Sequence, residues 1–379
     1  MRFIHISDLH LGKRVNEFSM LEDQSFILTR IINIIDEKKA DAVIIAGDVY
    51  DKAIPSAEAV ELFDDFLVRL ANRGLKVFVI SGNHDSAERI AFGGRIMDKG
   101  GIYMSPVYSG RVEPVVLSDE YGEINIYMLP FVKPANVRRY HPESEITSYT
   151  DAVKAAVDAM SIDRDERNIL VTHQFVTGAV RTESEEVSVG GSDNVDACVF
   201  ADFDYVALGH IHRSQKCMSE YIRYSGTPLK YSFSEAKDQK TVTVLDIGKK
   251  GELSLDFAPL SPLRDMAELK GTYEELTLKS FWENTSYTQD YIHITLTDEE
   301  DVPDALSKLR VIYKNIMKLD YDNKRTRTAN EINGADSISE KTPFEHFSTF
   351  YELQNGQAMS EEQQAFVKGI IEQLWEGET

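Results

Sequence analysis

Only two cysteines, Cys198 and Cys217, occur in the 379 residues of this chain, and they show neither CxxC spacing nor a partner cluster. Thiols this sparse exclude a disulfide framework and a thiolate metal site, and they fit a reducing compartment. Long apolar runs are missing too. The longest, 42–46 and 77–80, are the size of a strand, where a bilayer span needs roughly 20 apolar residues. Met1 leads straight into a strand-like run at 3–7, without the basic start and extended apolar stretch of a secretory leader. A cytoplasmic protein with no membrane contact is therefore expected. A basic surplus is also absent: 41 Lys and Arg against 63 Asp and Glu give a net charge of −22. A protein that grips nucleic acid unaided normally carries a basic footprint, because phosphate neutralisation supplies most of the non-specific affinity. With this charge, work on nucleic acid requires bound divalent cations that invert the local field, or a partner that supplies the basic surface.

What the chain does contain is an ordinary globular balance, 42% hydrophobic and 27% charged, over a length that suits two domains and an appendage. Residues 3–7, 42–46, 76–80, 124–128, 168–172 and 205–208 are rich in Val, Ile, Leu or aromatics and predict strands. Between the early ones, residues 56–72 carry Val60, Phe63, Leu67 and Leu70 at helical spacing, and 26–35 repeat the pattern. This alternation predicts a layered α/β architecture with helices covering a sheet. Residues 241–246 and 253–257 read as a closing hairpin around Gly248-Lys249-Lys250-Gly251.

A smaller β-α-β unit follows Pro259 and Pro262, with a strand at 291–296, a helix at 303–310 that begins on proline, and an extended return at 311–319. Residues 321–339 are polar and without apolar period, as in a linker. Two short amphipathic helices end the chain, one carrying Phe344, Phe347 and Tyr351, the other Val367, Ile370, Ile371 and Leu374. They either pack back onto their own chain or dock on a partner.

The chemistry concentrates in the first unit. Asp8-Leu9-His10, Gly47-Asp48, Gly82-Asn83-His84-Asp85 and Gly209-His210-Ile211-His212 each lie at the C-terminal end of a predicted strand, and Thr172-His173-Gln174 ends another. In α/β sheets that edge is where ligands bind. Residues two apart on an extended chain point to the same side, so Asp8 with His10, and His210 with His212, can aim at one point. Two aspartates, one asparagine and four histidines form an oxygen–nitrogen set without sulfur, suited to manganese, iron or zinc. Asp8, His10, Asp48, Asn83, His173, His210 and His212 together exceed what one ion with an open position needs. Two ions sharing a carboxylate use them naturally, and Asp48 is the natural bridge. Such paired ions activate a water and stabilise both attacking and leaving oxygens in displacement at phosphorus. Each fragment alone has a plainer reading. A D-x-H arises by accident in roughly half of chains this size, a lone His173 reads as a satisfied interior histidine, Gly47-Asp48 as a turn, and H-x-H as a surface pair. Their joint occurrence in this order, all at strand ends, is what points to a metal centre.

These residues resemble the calcineurin-like metallophosphoesterase superfamily, whose pattern is D-x-H, GD, GNH[DE], H and GH-x-H. The match is complete over residues 2–257. Within the superfamily the chain is similar to the bacterial relatives of the meiotic-recombination nuclease, subunits that work with an SMC/ABC-type ATPase. The similarity is carried by Ile6-Ser7-Asp8-Leu9-His10-Leu11-Gly12, Ala46-Gly47-Asp48-Val49-Tyr50-Asp51 with Pro55-Ser56, and Ser81-Gly82-Asn83-His84-Asp85-Ser86. Ala207-Leu208-Gly209-His210-Ile211-His212-Arg213 and Tyr224-Ser225-Gly226-Thr227-Pro228 complete it.

The resemblance implies a two-sheet metallophosphoesterase sandwich with flanking helices over 1–262, a small β-α-β capping domain over 263–322, a linker over 323–342, and a helical tail over 343–379 that binds the ATPase. It implies one metal on Asp8, His10, Asp48 and His212, and another on Asp48, Asn83, His173 and His210, with manganese preferred. His84 is then the acid that gives a proton to the departing ribose oxygen, and Asp85 the carboxylate that orients it. Archaeal and eukaryotic relatives carry a second histidine after the GD motif, where this chain has Asp51. The implied activities are 3′-to-5′ exonuclease on double-stranded DNA and endonuclease on hairpin or single-stranded DNA, in repair, replication and recombination. The implied assembly is a nuclease homodimer, formed through helices such as 56–72, flanked by two coiled-coil ATPase subunits.

Two other functions compete. A stand-alone phosphodiesterase for a small phosphodiester or nucleotide would share the motifs but needs neither the extra domain nor the tail. A scaffold that binds DNA and ATPase without catalysis would not need seven intact ligands and His84.

Overall fold

The computed structural model of the chain describes residues 1–185, 193–324, 342–355 and 358–377, so most of the expected linker, 325–341, lies outside the described residues. The order begins β1 (Arg2–Ile6), α1 (Leu21–Lys38), β2 (Ala42–Ala46), α2 (Ala57–Ala71), β3 (Lys76–Ile80) and β4 (Ile102–Met104). Next come β5 (Val115–Asp119), β6 (Gly122–Leu129), α3 (Tyr149–Asp158), β7 (Arg167–His173) and β8 (Tyr205–Gly209). The strands β9 (Gln215–Cys217), β10 (Ser219–Tyr224), β11 (Thr241–Ile247) and β12 (Leu253–Pro259) complete the larger part of the chain.

Two six-stranded sheets result, ordered β12-β11-β1-β2-β3-β4 and β9-β10-β8-β7-β6-β5. The central strands of both are parallel, and the hairpin of β11 and β12 closes the first sheet antiparallel to β1. The sheets pack face to face. In β2, Ala42, Ile44 and Ala46 point into the core between them, with Phe3, Phe78, Ile126, Val171 and Tyr205, while Val43 and Ile45 point out toward α1 and α2. A strand covered on both faces has no reason to alternate in polarity, which explains the continuous apolar runs. Helix α1 presents Ile27, Leu28, Ile31, Ile32 and Ile35 to the outer side of the first sheet. In α2, the Ser56 hydroxyl accepts from the Ala59 N–H at its start, and Phe63, Phe66, Leu67 and Leu70 are buried. Helix α3 covers the second sheet with Ala152, Val153, Ala156 and Val157. The four-layer order helix, sheet, sheet, helix is the α/β sandwich expected.

The second unit differs in detail from its expectation. Its strands β13 (Met266–Gly271), β14 (Tyr291–Leu296) and β15 (Asn315–Tyr321) form a wholly parallel sheet with β14 in the middle. The first crossover includes α4 (Tyr273–Thr277), and α5 (Ala305–Leu309) lies in the second. The expected strand at 311–319 therefore starts later, and Val311 is exposed in the turn before it. The helix expected from Pro303 begins at Ala305, because Asp304 takes a left-handed conformation, φ 56°, just before it. The unit is pinned to the first sheet's helical side. Arg264 pairs with Asp23 at 2.6 Å and with Glu22, and the Tyr291 hydroxyl donates to Asp23 at 2.7 Å.

Helices α6 (Pro343–Asn355) and α7 (Glu361–Gly377) end the described chain. They touch each other, and Phe347, Phe350, Phe366 and Ile370 stay exposed on them. Among the described residues no helix is long and apolar enough to cross a membrane.

Candidate metal centre

All five sequence clusters meet at one edge of the sandwich, where β1, β2 and β3 of one sheet and β7 and β8 of the other end. The approach is closer than side chains would allow. A Cβ on Gly209 would lie 1.9 Å from the Ala46 carbonyl oxygen, and one on Gly82 would lie 2.1 Å from Asp48 Oδ1. Glycine is thus required at both positions for the backbones to pass. Beyond the strands the chain turns sharply: Asp8 (φ 53°), His10 (φ 44°), Asp48 (φ 50°) and His210 (φ 105°) all adopt positive φ. Non-glycine residues there are uncommon and costly, and they concentrate at functional sites. Main-chain bonds hold the turns together, from Asp8 N–H to the Gly47 carbonyl and from His10 N–H to the Asp48 carbonyl, each 3.0 Å.

The seven expected ligands come together. His10 Nε2 and His212 Nε2 face each other at 3.1 Å. Asn83 Oδ1 lies 3.0 Å from His173 Nε2 and 2.9 Å from His210 Nδ1. Asp48 Oδ2 stands between these two groups, 3.7 Å from His10 Nε2 and 3.3 Å from His173 Nε2. Asp8 Oδ1 is 4.0 Å from His173 Nε2, and its carboxylate accepts the His210 N–H at 3.0 Å and the Ser7 hydroxyl. Asp8, His10 and His212 can meet on one ion, as can Asp8, Asp48 and His173, or His10, Asp48 and His84.

The donor set fits divalent cations on three counts. It is buried, with Asp8, His10, Asp48, His173 and His212 nearly free of solvent exposure. Burial depresses the basicity of His10 and His212 well below the usual imidazole value and takes His210 down to about 3, so His10 and His212 meet as neutral rings through their Nε2 atoms. Neutral ring nitrogens this close need a cation or a proton between them. Finally, the local field calls for positive charge: burial opposes it, yet Asp48 and Asp8 push His173 up to about 9. Two of the four imidazoles have their other nitrogen engaged, as metal-binding histidines commonly do. His173 Nδ1 donates to the Ala46 carbonyl at 2.9 Å, and His212 Nδ1 meets the Ser184 hydroxyl at 2.6 Å.

His84 is at the rim. Its N–H donates to Asp48 Oδ1 at 2.9 Å, its Nδ1 donates to the Asp51 carbonyl at 3.1 Å, and its Nε2 lies 4.0 Å from Asp48 Oδ2. The expectation that Asp85 orients this ring is corrected. The Asp85 carboxylate turns inward and accepts the N–H groups of Val49, Tyr50 and Gly82 at 2.9–3.0 Å. The tight Gly82–Asp85 turn leaves those amides facing it, and Asp51 takes the orienting role through its main chain. The Asp51 side chain pairs with Lys13 Nζ at 2.6 Å. Sequence reasoning also missed Ser184, Glu235 and Lys240 around His212, and Tyr231, whose hydroxyl donates to the Leu9 carbonyl at 2.6 Å. None forms a motif with the ligand it supports, so spacing carries no signal for them.

Such a site on an α/β sandwich defines a metal-dependent phosphoesterase. Residues 1–214 match the family model of calcineurin-like phosphoesterases, and residues 262–355 match that of the type 5 capsule protein repressor C-terminal domain. The chain is 33% identical over 379 residues to the SbcD subunit of nuclease SbcCD from Staphylococcus epidermidis, covering 98% of each protein. It therefore belongs to the calcineurin-like phosphoesterases and, within them, to the SbcD family of nuclease subunits. Solved structures with similarity include TT1561 of Thermus thermophilus, with TM-score 0.39, 13% identity, and coverage of 68% of this chain and 98% of that one. A dimetal phosphatase from Danio rerio aligns with TM-score 0.42, 10% identity, and coverage of 69% and 98%.

Proposed function

We propose that the chain is the two-metal nuclease subunit of an ATP-driven DNA-processing machine, acting as a 3′-to-5′ exonuclease on double-stranded DNA and an endonuclease on hairpin or single-stranded DNA. One observation carries the two-metal reading: Asp48 Oδ2 lies between two converging donor groups, 3.7 Å from His10 Nε2 and 3.3 Å from His173 Nε2. On this reading Asp8, His10, Asp48 and His212 hold one cation, and Asp48, Asn83, His173 and His210 hold the other. The sulfur-free nitrogen–oxygen set suits manganese. When bound, the cations supply Lewis-acid charge for in-line displacement at phosphorus. His84 gives the proton to the departing ribose oxygen from Nε2, since the Asp51 carbonyl engages Nδ1. Asp85 serves one step further out, by tying the His84 turn to the turn after β2.

Residues 1–262 then form the nuclease domain, 263–322 a cap, 323–342 a linker, and 343–379 the tail. A cleft of about 560 Å³ between nuclease domain and cap is lined by Ser184, Tyr231, Phe233, His293 and Lys318 among others. Manganese-dependent cleavage of hairpin DNA, set against cleavage of bis-p-nitrophenyl phosphate, tests the substrate class. Hairpin cutting is expected to dominate; a protein that hydrolyses the small diester and leaves hairpin DNA intact is a stand-alone phosphodiesterase.

The relative in S. epidermidis is named as a subunit of a complex, and we assign this chain an SbcC-like coiled-coil ATPase as partner. That partner offsets the charge of −22 by supplying basic DNA-binding surface. The exposed Phe347, Phe350, Phe366 and Ile370 of the tail support docking there, and Ile54, Val60 and Val68 around α2 support a nuclease homodimer. Deletion of the chain after Asp322 is expected to abolish co-purification of the coexpressed ATPase while leaving the dimer intact. An unchanged yield of ATPase would place the contact elsewhere.

A further inference from the structure

The ligand set leaves one buried ionic group unused. Glu235 is fully buried and Lys240 nearly so, next to the metal centre yet contributing no donor to it. Lys240 Nζ donates to the His212 carbonyl and the Thr227 hydroxyl, each at 2.8 Å, and to Glu235 Oε2. The second Glu235 oxygen, Oε1, accepts the Ser184 hydroxyl at 2.6 Å. Ser184 Oγ in turn is 2.6 Å from His212 Nδ1 and 2.8 Å from the Thr182 hydroxyl. The main chain of His212 is held as well: its N–H donates to Glu185 Oε1 at 2.6 Å, and its carbonyl accepts the Thr227 N–H at 3.1 Å. His212 is thus gripped at amide, carbonyl and ring by residues up to 28 positions away in the chain. Burying a charged pair has a large desolvation cost, offset here by the hydrogen bonds that Lys240 and Glu235 make around His212.

The donor–acceptor logic runs one way. Lys240 can only donate, so the Glu235 carboxylate accepts from it. A carboxylate has no hydrogen to offer, so the Ser184 hydroxyl spends its single hydrogen on Glu235. The Ser184 oxygen is then left to accept, from the Thr182 hydroxyl and from His212 Nδ1. The imidazole must therefore carry its hydrogen on Nδ1, which leaves Nε2 as a bare lone pair aimed at His10 Nε2. That tautomer is the one a metal ligand needs. We infer that Ser184 and Glu235, charged through Lys240, are positioning residues that set the His212 tautomer and ring angle for cation binding at the Asp8–His10 side of the centre. The inference rests on the proposed role of His212 as a ligand. Second-layer partners of this kind typically govern metal affinity by about 10- to 100-fold.

Two substitutions separate this role from simple packing. Ser184→Ala removes the hydroxyl and frees the tautomer. Glu235→Gln keeps shape and volume but unlocks the relay. Its amide oxygen must face Lys240, so its NH₂ donates to Ser184, whose hydroxyl hydrogen is released to point at either the Thr182 hydroxyl or His212 Nδ1, and the imidazole hydrogen is no longer fixed on Nδ1. Packing alone ranks the isosteric Glu235→Gln as the milder change; the relay ranks it as harmful as Ser184→Ala. Manganese binding to the full-length protein is read by electron paramagnetic resonance titration of free Mn²⁺, with thermal unfolding of metal-free protein as a check on folding. Wild type is expected to bind two ions. Both variants should bind one ion as wild type does and the other about 10- to 100-fold more weakly, and Ser184→Thr should restore the wild-type isotherm. Two unchanged affinities in Ser184→Ala and Glu235→Gln overturn the relay while leaving the ligand assignment standing. A folded wild-type protein that takes up no manganese overturns both.

Discussion

His84→Gln is expected to retain manganese at both positions and to lose about 10²- to 10⁴-fold in DNA cleavage, the range that one general acid contributes. His84 differs from the seven expected ligands in its placement. It lies at the rim, partly open to solvent, and its ring stands perpendicular to that of His10 at a centroid distance of 4.8 Å. Its Nε2 stays 4.0 Å from Asp48 Oδ2. Glutamine is close in size, can still donate to the Asp51 carbonyl, and leaves the main-chain bond to Asp48 Oδ1 untouched. What it lacks is a transferable proton. The defect should therefore follow the leaving group: large for DNA, whose ribose oxygen leaves poorly without a proton, and small for bis-p-nitrophenyl phosphate, whose phenolate leaves unaided. Single-turnover rates on both substrates, with a metal titration alongside, make the comparison. Equal losses on the two substrates would show that His84 acts on something other than the leaving oxygen.

Much of this geometry was legible in the sequence, and the reason is local. Asp8, Asp48, Asn83, His173 and His210 each come one or two small residues after an apolar run, so strand and expected ligand are written close together. The fold class was legible for the same reason, since strands buried on both faces, such as Ala42–Ala46, stand out from the polar residues around them. Elements at sheet edges were harder to read. Met266–Gly271 reads M-A-E-L-K-G, with two of its six residues buried, and it becomes a strand through pairing with Tyr291–Leu296. Val115–Asp119 and Gln215–Cys217 are edge strands of the same mixed character. Helix Tyr149–Asp158 buries only small residues and Val, so its period is faint. The supports of the site were not legible at all. Glu235 reaches Ser184 across 51 positions, and Asp85 chooses main-chain amides over its neighbour His84, because each choice depends on the three-dimensional position of a turn.

Asp48 is the residue whose loss should reach furthest. Its two oxygens do different things: Oδ1 accepts the His84 N–H at 2.9 Å, and Oδ2 faces the metal donors. Burial works against charge on this carboxylate, but the adjacent His173, itself pushed up to about 9, holds it well below the ordinary range, so it is an anion. In Asp48→Asn the amide oxygen keeps the bond to the His84 N–H, since only an acceptor fits there. The NH₂ then replaces Oδ2 and directs its hydrogens at the place where His10 Nε2 and His173 Nε2 converge. Both donor groups lose their shared anion at once and face instead one NH₂, whose two hydrogens repel a cation. The metal-free fold should survive, because size and the structural hydrogen bond are preserved. Manganese uptake should fall from two ions per chain to one or none at concentrations that saturate wild type, and cleavage should drop by about 10³-fold or more, beyond what removal of one preorganised electrostatic group costs. The contrast with His84→Gln is diagnostic, as that variant keeps its metal and this one does not. Calorimetric titration with manganese, together with circular dichroism of the metal-free protein, measures both halves. Two ions bound with wild-type affinity in Asp48→Asn would remove Asp48 from the shared position and leave two separate mononuclear sites.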